Sequence, residues 1–306
     1  MSTAALHPQT EIRVDPRQSA GKKFLWCVRR EFWENRSLYI APLAVAGVSL
    51  VSFFLWISRL PGHLRSALAL DVVHQHAVVD QPYEMVAGAM MLTGMLVGAF
   101  YSIDALYGER RDRSILYWKS LPVSDVTTVL SKASIPIFIL PLIIFAFTAG
   151  VQWIMMLVSY IVARANGVNP EALWTVSSFF QMSLMLLYHL VFVHGLWHSP
   201  FYAWLLMVSS WTRRAPFLWA VVPLVAISTI ERIVFNTGYL TNLLGYYLMG
   251  GGGNSNSGQT AKTMSGLLGN FEPIRMLSVP GLWLGLAATG LFLYAAIRLR
   301  RAHGPI

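Results

Sequence analysis

Tyr107-Gly108-Glu109-Arg110-Arg111-Asp112-Arg113-Ser114-Ile115-Leu116-Tyr117-Trp118-Lys119-Ser120-Leu121-Pro122-Val123-Ser124-Asp125 is a polar island between long apolar stretches. Before it, apolar residues dominate from about Glu84 to Leu106, and after it from about Ser134 to Val162. Each flank is long enough to cross a hydrocarbon core as a helix, which takes about 20 residues. A charged segment bearing aromatic residues between two such flanks is a handle by which something outside the bilayer can grip a membrane protein. Within it, Asp112 or Ser114 can cap a short helix, because their side chains satisfy orphan amide donors. Ile115 to Trp118 fill that helix and Pro122 ends it. Ser124 is placed to cap the next helix, with Asp125 in a first turn where the helix dipole favours an anion. Tyr117 and Trp118 suit a protein interface, where aromatic anchors carry much of the binding energy. An ordinary surface loop whose aromatics face lipid is the other reading, and physics alone leaves both open.

The rest of the composition agrees with the flanks. The chain is 55% apolar and only 12% charged, whereas about a quarter of the residues of a soluble domain are charged. Several apolar stretches reach spanning length, and the short alternating segments of a β-barrel are absent. The fold class is therefore an all-α integral membrane protein. The net charge of +9 gathers in four places: Arg13 to Arg36, Arg110 to Lys132, Arg213 with Arg214, and Arg298 to Arg301. The segments between them hold few cations, namely Arg59, Arg65, Arg164, Lys262 and Arg275. The positive-inside rule puts the four clusters in the cytosol. The charge thus reports topology and contact with anionic membrane lipids, and no nucleic acid is expected. Cys27 is the single cysteine, so an intrachain disulfide and a cysteine metal cluster are both excluded.

Residues 1–18 are polar, contain proline and lack the apolar core of a signal peptide. They are expected to be a disordered cytosolic tail. A single membrane domain then covers 19–301, with the island at 107–132, an outer segment at 236–278 and a short cytosolic tail at 302–306. From about Ser19 to Arg36, Phe24, Leu25, Val28 and Phe32 recur at helical spacing, with Lys22, Lys23, Arg29 and Arg30 on other positions. Such a helix is expected in the interface, apolar face toward lipid and cations toward headgroups. A plain extension of the first membrane helix is the alternative.

Six spans follow. The first runs from about Leu38 to Leu60, where Pro61-Gly62 is expected to stop it, with a polar connection to about Gln81. The second, about Glu84 to Leu106, carries Gly94 and Gly98 as a G-x-x-x-G that permits close helix approach. The third starts near Ser134, and Pro136 and Pro141 are expected to kink its early turns. The fourth apolar stretch, about Val176 to Trp211, is overlong and contains Pro200. One crossing is expected rather than two, because that keeps Arg213-Arg214 in the cytosol. The fifth runs from Pro216 to about Phe235 and the sixth from about Gly281 to Ile297. The outer segment between them contains a glycine and serine run, Gly250 to Gly258, that reads as a flexible linker. The apolar pieces Tyr239–Met249 and Met264–Leu268 are too short to span and suit re-entrant or interfacial positions.

Few groups invite chemistry. His74 and His76 form an H-x-H near Asp71 and Asp80, but no cysteine assists in a loop that looks flexible, and no metal is assigned. His189, His194 and His198 lie along the fourth stretch, where they are candidates for a proton path, a cavity lining or helix–helix hydrogen bonds. Glu231 and Arg232 either neutralise each other or face partners across a dimer. Asp104 is placed to pair with an island arginine. No G-x-S-x-G, no H-E-x-x-H and no acidic pair at matching depth is present, so no catalytic residue is assigned.

The run Gly108-Glu109-Arg110-Arg111-Asp112-Arg113-Ser114, followed by Trp118-Lys119-Ser120-Leu121-Pro122-Val123-Ser124, resembles a signature of bacterial ABC exporter permeases of the ABC-2 type. The amphipathic N-terminal helix, six spans, Glu231-Arg232 in the fifth and the basic tail agree, over roughly Ser19 to Arg301. The overlong fourth stretch and the glycine-rich outer linker are the least typical parts. The resemblance implies a permease that dimerises with itself or a related chain, in a bacterial inner membrane with both termini cytosolic. Each copy would sit on an ABC ATPase subunit, two copies in all. Docking falls to Glu109, Arg110, Asp112, Ser114, Trp118, Lys119, Leu121 and Pro122 of the island, a coupling helix between spans two and three. Phe24, Arg29, Arg30 and Phe32 of the N-terminal helix would join them. The chain has no G-x-x-x-x-G-K-[ST] phosphate loop. It is expected to bind no cofactor itself, with ATP and Mg2+ held by the partner ATPase. The expected function is export of an unidentified, amphiphilic substrate. A secondary transporter or a non-transporting scaffold is the alternative, although few ionisable groups lie mid-span to form a coupling-ion site.

Overall fold

The computed structural model describes residues 20–70, 72–120, 123–169, 179–248 and 277–302. The expected N-terminal tail, residues 303–306, the glycine and serine run, Met264–Leu268, Leu121 and Pro122 lie outside these. Among the described residues the protein is helical, with no strand. Six helical segments are long and apolar enough to cross a membrane: Ser37–Leu68, Val78–Arg111, Asp125–Ala165, Phe180–Trp197, Pro216–Phe235 and Pro280–Ala302. The chain is a multi-pass all-α membrane protein.

Helix α1 (Ala20–Glu34) precedes the first span. Its apolar stripe divides: Val28 and Phe32 turn to the protein, while Leu25 stays 66% exposed. Val28 and Phe32 pack on Leu38, Val129 and Ala133, and Phe24 is half-buried. Helix α2 (Ser37–Trp56) continues through a 3-10 turn (Ile57–Arg59) into α3 (Leu60–Leu68). Pro61 therefore does not stop the chain. It sits in the first turn of α3, where a missing N–H costs nothing. The expected polar connection is largely helical too, because α4 (Val72–Asp104) begins well before Glu84 and passes through Pro82. Leu60, Leu64 and Ala67 of α3 pack on Val79, Ala163 and Val168, which gives that segment an apolar reason to fold.

The island breaks into α5 (Tyr107–Arg111) and α6 (Ser114–Ser120). Arg113 stands before α6 in a left-handed conformation, φ 57°, and Ser114 turns its hydroxyl back to the Glu109 carbonyl at 3.4 Å. Helix α7 (Asp125–Ser134) starts where expected: Ser124 is extended and its Oγ accepts from the Thr127 amide at 3.1 Å. A π segment (Ile135–Ile139) joins α7 to α8 (Leu140–Ala165). Pro136 and Pro141 remove amide donors there, and the helix absorbs the loss as a π turn.

Helix α9 (Phe179–Tyr188), a second π segment (His189–Trp197) and α10 (Ser199–Trp211) run one way beside α4. Gly94 lies against His194 and Gly98 against Tyr202, and the Leu106 amide donates to Ser209 Oγ at 3.1 Å. From Phe179 to Trp211 the stretch is thus one continuous passage, and the two glycines of α4 do receive close neighbours. Ala215, left-handed at φ 50°, reverses the chain into α11 (Pro216–Phe235). Helix α12 (Tyr239–Leu248) then folds back until its last turn reaches Trp197 and His198. Helix α13 (Pro280–Ala302) lies along α10: Gly285 touches Pro200, Thr289 bonds Ser199, and Trp204 meets Phe292 edge-on.

Candidate functional site: a buried ionic hub beneath the island

At the island end of the bundle the fold gathers charges from four separate parts of the chain. Glu109 of α5, only 7% exposed, is the centre. Its Oε1 accepts from Arg30 Nη2 of α1 at 3.0 Å and lies 3.2 Å from Lys132 Nζ of α7. Its Oε2 accepts from Arg300 Nη1 of α13. Lys132, 2% exposed, also donates to Glu31 Oε1 at 2.8 Å, and Tyr101 donates to Glu31 Oε2 at 2.8 Å. Arg300 completes its fork on Asp125 Oδ1 at 3.0 Å.

At the buried centre three carboxylates (Glu31, Glu109, Asp125) face three cations (Arg30, Lys132, Arg300), and at the exposed edge Glu34 pairs with Arg30 at 2.9 Å and Arg301 with Asp125 at 3.9 Å. The balance matters because an unpaired buried charge costs several kcal/mol. Burial opposes the charge of Arg30, yet Glu31, Glu34 and Glu109 outweigh it and hold the guanidinium above its ordinary pKa. Next to the hub, burial pushes the Cys27 thiol up, against the pull of Arg30. The Arg30 guanidinium also covers the Trp118 ring, 3.4 Å from its centroid, so α1 grips α6 directly.

The structure divides the expected docking residues. Glu109 and Arg110, expected from sequence among the docking residues, are buried within the chain, where they hold the island in place. Arg110 donates through Nη1 to the carbonyls of Ser210 at 2.8 Å and Thr212 at 3.1 Å, where the end of α10 carries partial negative charge. Ser114 and Trp118 are half-buried, while Asp112 and Lys119 are exposed. Leu116 and Tyr117 stand out most, at 57% and 61% exposed. On α1, Arg30 and Phe32 face the protein, while Arg29 is exposed between the Trp26 and Trp33 rings. Asp104 does approach Arg111, at 3.8 Å across an exposed gap, a pairing worth little. Glu31, Lys132 and Arg300 were not singled out from sequence, and Asp125 was read there only as a first-turn anion of the next helix. The available signal was Glu31 in register with Val28 on the apolar stripe of α1, where a charge has to find a partner.

Farther from the island, Glu231 does not pair with Arg232. Its carboxylate accepts from the amides of Tyr239 and Leu240 and from Thr237 Oγ1, which caps the N-terminus of α12. His189, His194 and His198 are all buried. His189 Nδ1 lies 3.0 Å from the Met185 carbonyl and His194 Nε2 lies 3.1 Å from Tyr202 Oη. Among the described residues no three His, Cys, Asp or Glu side chains come together as a metal site. No family model, no curated protein and no solved structure matches this chain.

Proposed function

We propose that this chain is the membrane subunit of an ATP-driven exporter of the ABC-2 type, embedded in a bacterial inner membrane with both termini cytosolic. The observation that carries the reading is the ionic hub centred on Glu109. It ties the island to α1, to α7 at the start of the third span and to the end of α13. A force on the island tip therefore reaches two membrane helices through charge-assisted bonds rather than through a loose loop. The tip itself leaves Leu116, Tyr117 and Lys119 on the surface, and these carry the contact with the ATPase. The resemblance of the island sequence to ABC-2 permeases supports the same division of labour. ATP and Mg2+ then belong to the partner, two copies of which serve a pair of permeases. The cargo is an amphiphile, matched to the apolar helix surfaces. For net movement it must bind differently in the two states that the ATPase imposes.

The test is purification from the native membrane in mild detergent, with identification of what accompanies the chain. Stoichiometric recovery of a Walker-type ATPase is expected. A variant with Leu116→Asp and Tyr117→Asp should lose it while keeping its thermal stability, since both side chains are exposed. ATPase recovered with both forms would keep the exporter and move the dock elsewhere. No ATPase under several mild conditions would put a secondary transporter or a scaffold ahead.

A further inference from the structure

Helix α1 has a second face, turned away from the hub. Lys22, Trp26, Arg29, Trp33 and Arg36 follow one another at intervals of four, three, four and three residues, which draws one stripe along a helix. All five are exposed, and the two indoles stand out at 62% and 66%. An indole is a large apolar body with a polar edge, suited to a boundary between water and something greasy. The Arg29 guanidinium lies 5.5 Å from the Trp26 ring centroid and 4.9 Å from that of Trp33, so the rings hold this cation on the outward side. The inward side differs in kind: Val28 and Phe32 pack in the core, while Glu31 and Arg30 enter the hub. Glu34, the exposed carboxylate of α1, is taken up by Arg30 at 2.9 Å. The charges of the stripe itself are all positive.

What lies against the stripe follows from its continuation. Two residues, Asn35 and Arg36, separate α1 from α2. The same alternation carried onward reaches Ile40 and Leu43, both exposed on the first membrane span. An exposed apolar face on a spanning helix meets acyl chains. Followed back from Leu43 to Lys22, this one surface changes from aliphatic side chains to interleaved indoles and cations. That is the order met on leaving the hydrocarbon through the headgroup layer. At its far end a shallow hollow is lined by Lys22, Leu25, Trp26 and Arg29. The two cations suit a phosphate, and the leucine and indole form an apolar wall for the glycerol and the first methylenes beside it.

We propose that the outward face of α1 binds acidic glycerophospholipids. Lys22 and Arg29 take a headgroup phosphate at the hollow, Trp26 and Trp33 seat the helix at the depth of the glycerol, and Arg36 meets a second headgroup. Of the apolar stripe read from sequence, Leu25 alone lines the hollow. Val28 and Phe32 are covered by protein, so the lipid contact of α1 belongs to its cation and indole stripe. The inference goes beyond the exporter reading and stands without it, because it concerns the free chain and its lipid and needs no ATPase.

The test uses the full chain reconstituted with nitroxide-labelled phosphatidylglycerol or phosphatidylcholine, whose retention at the protein surface is read by electron paramagnetic resonance. The parent should retain phosphatidylglycerol about five-fold more strongly, the size of effect expected for one cation at an anionic surface. Lys22→Gln with Arg29→Gln should remove most of that preference at an unchanged melting temperature. Arg213→Gln with Arg214→Gln, an equal loss of exposed charge elsewhere, should keep most of it. In parallel, a nitroxide at Leu25→Cys in a Cys27→Ser background reports depth. A nickel chelate carried on a lipid headgroup should relax it more strongly than a water-soluble nickel chelate. No preference in the parent, equal losses in the two double variants, or a label relaxed only by the soluble chelate would overturn the lipid site. So would a Lys22, Arg29 variant that keeps the lipid preference but loses a protein partner on purification, which would give the face to that partner. If this variant does not fold, the depth measurement still decides.

Discussion

Gly195 is where the two π segments touch. A Cβ there would collide with the Ile137 carbonyl oxygen, and a backbone atom inside a helix cannot step aside as a side chain can. Gly195→Ala should therefore destabilise by about 1–3 kcal/mol, the usual range for overpacking, read as a lower melting temperature in detergent. Gly150→Ala is the control. Its new methyl would meet nothing within 4 Å, so the better helix propensity of alanine should leave stability unchanged or raise it by up to about 1 kcal/mol. Equal effects at the two sites would remove the π contact from the fold. Cys27 gives a second reading at this scale. Burial pushes its thiol up, and the thiolate is the reactive form. The alkylation rate should climb with pH toward a midpoint above the ordinary thiol value of about 8.5. A midpoint at or below that value would mean that α1 is not packed as described.

At the scale of elements, the cap of α7 at Ser124 was legible and the island's charges were not. Ser124 and Asp125 announce the start of α7 because capping is settled within one turn of helix. Glu109 looked like a surface residue because its local neighbours are polar. Its partners are remote in sequence: Arg30 at a separation of 79 residues and Arg300 at 191. No local pattern records a contact of that kind. The same ignorance of neighbours hid part of the setting of α1: of its stripe of Phe24, Leu25, Val28 and Phe32, Val28 and Phe32 meet the cluster that holds Val129 and Ala133 of α7, while Leu25 stays exposed. The hub predicts a strong asymmetry between single and paired changes. Lys132→Met leaves Glu31 and Glu109 without their shared buried cation, and should cost about 3–5 kcal/mol. Adding Glu31→Leu removes one of the two carboxylates that lost Lys132 and should recover part of that loss, so the two changes will not add. Additive melting shifts would indicate that the charges do not form one network.

For the whole molecule, the course of α9 through α10 sets the topology. Contacts from Gly94–His194 to Leu106–Ser209 advance together along α4, so Phe180 and Arg214 belong to opposite ends of the bundle. Single cysteines at these two positions, in a Cys27→Ser background, should react with an impermeant maleimide from opposite sides of the membrane. Labelling of both from one side would mean two crossings and would change the order of every later helix. The sequence by itself determined the helical class, six apolar spans, the place of the island and the cap at Ser124. These follow from composition, period and turn chemistry, which act over a few residues. Only the tertiary structure decided that Pro61 begins a helix, that two proline positions resolve into a π turn and that Glu231 caps α12. It also turned Glu109 and Arg110 inward. Each of these depends on which distant groups come to lie alongside, and a buried charge or a missing amide is settled by those neighbours rather than by the residues next to it in the chain.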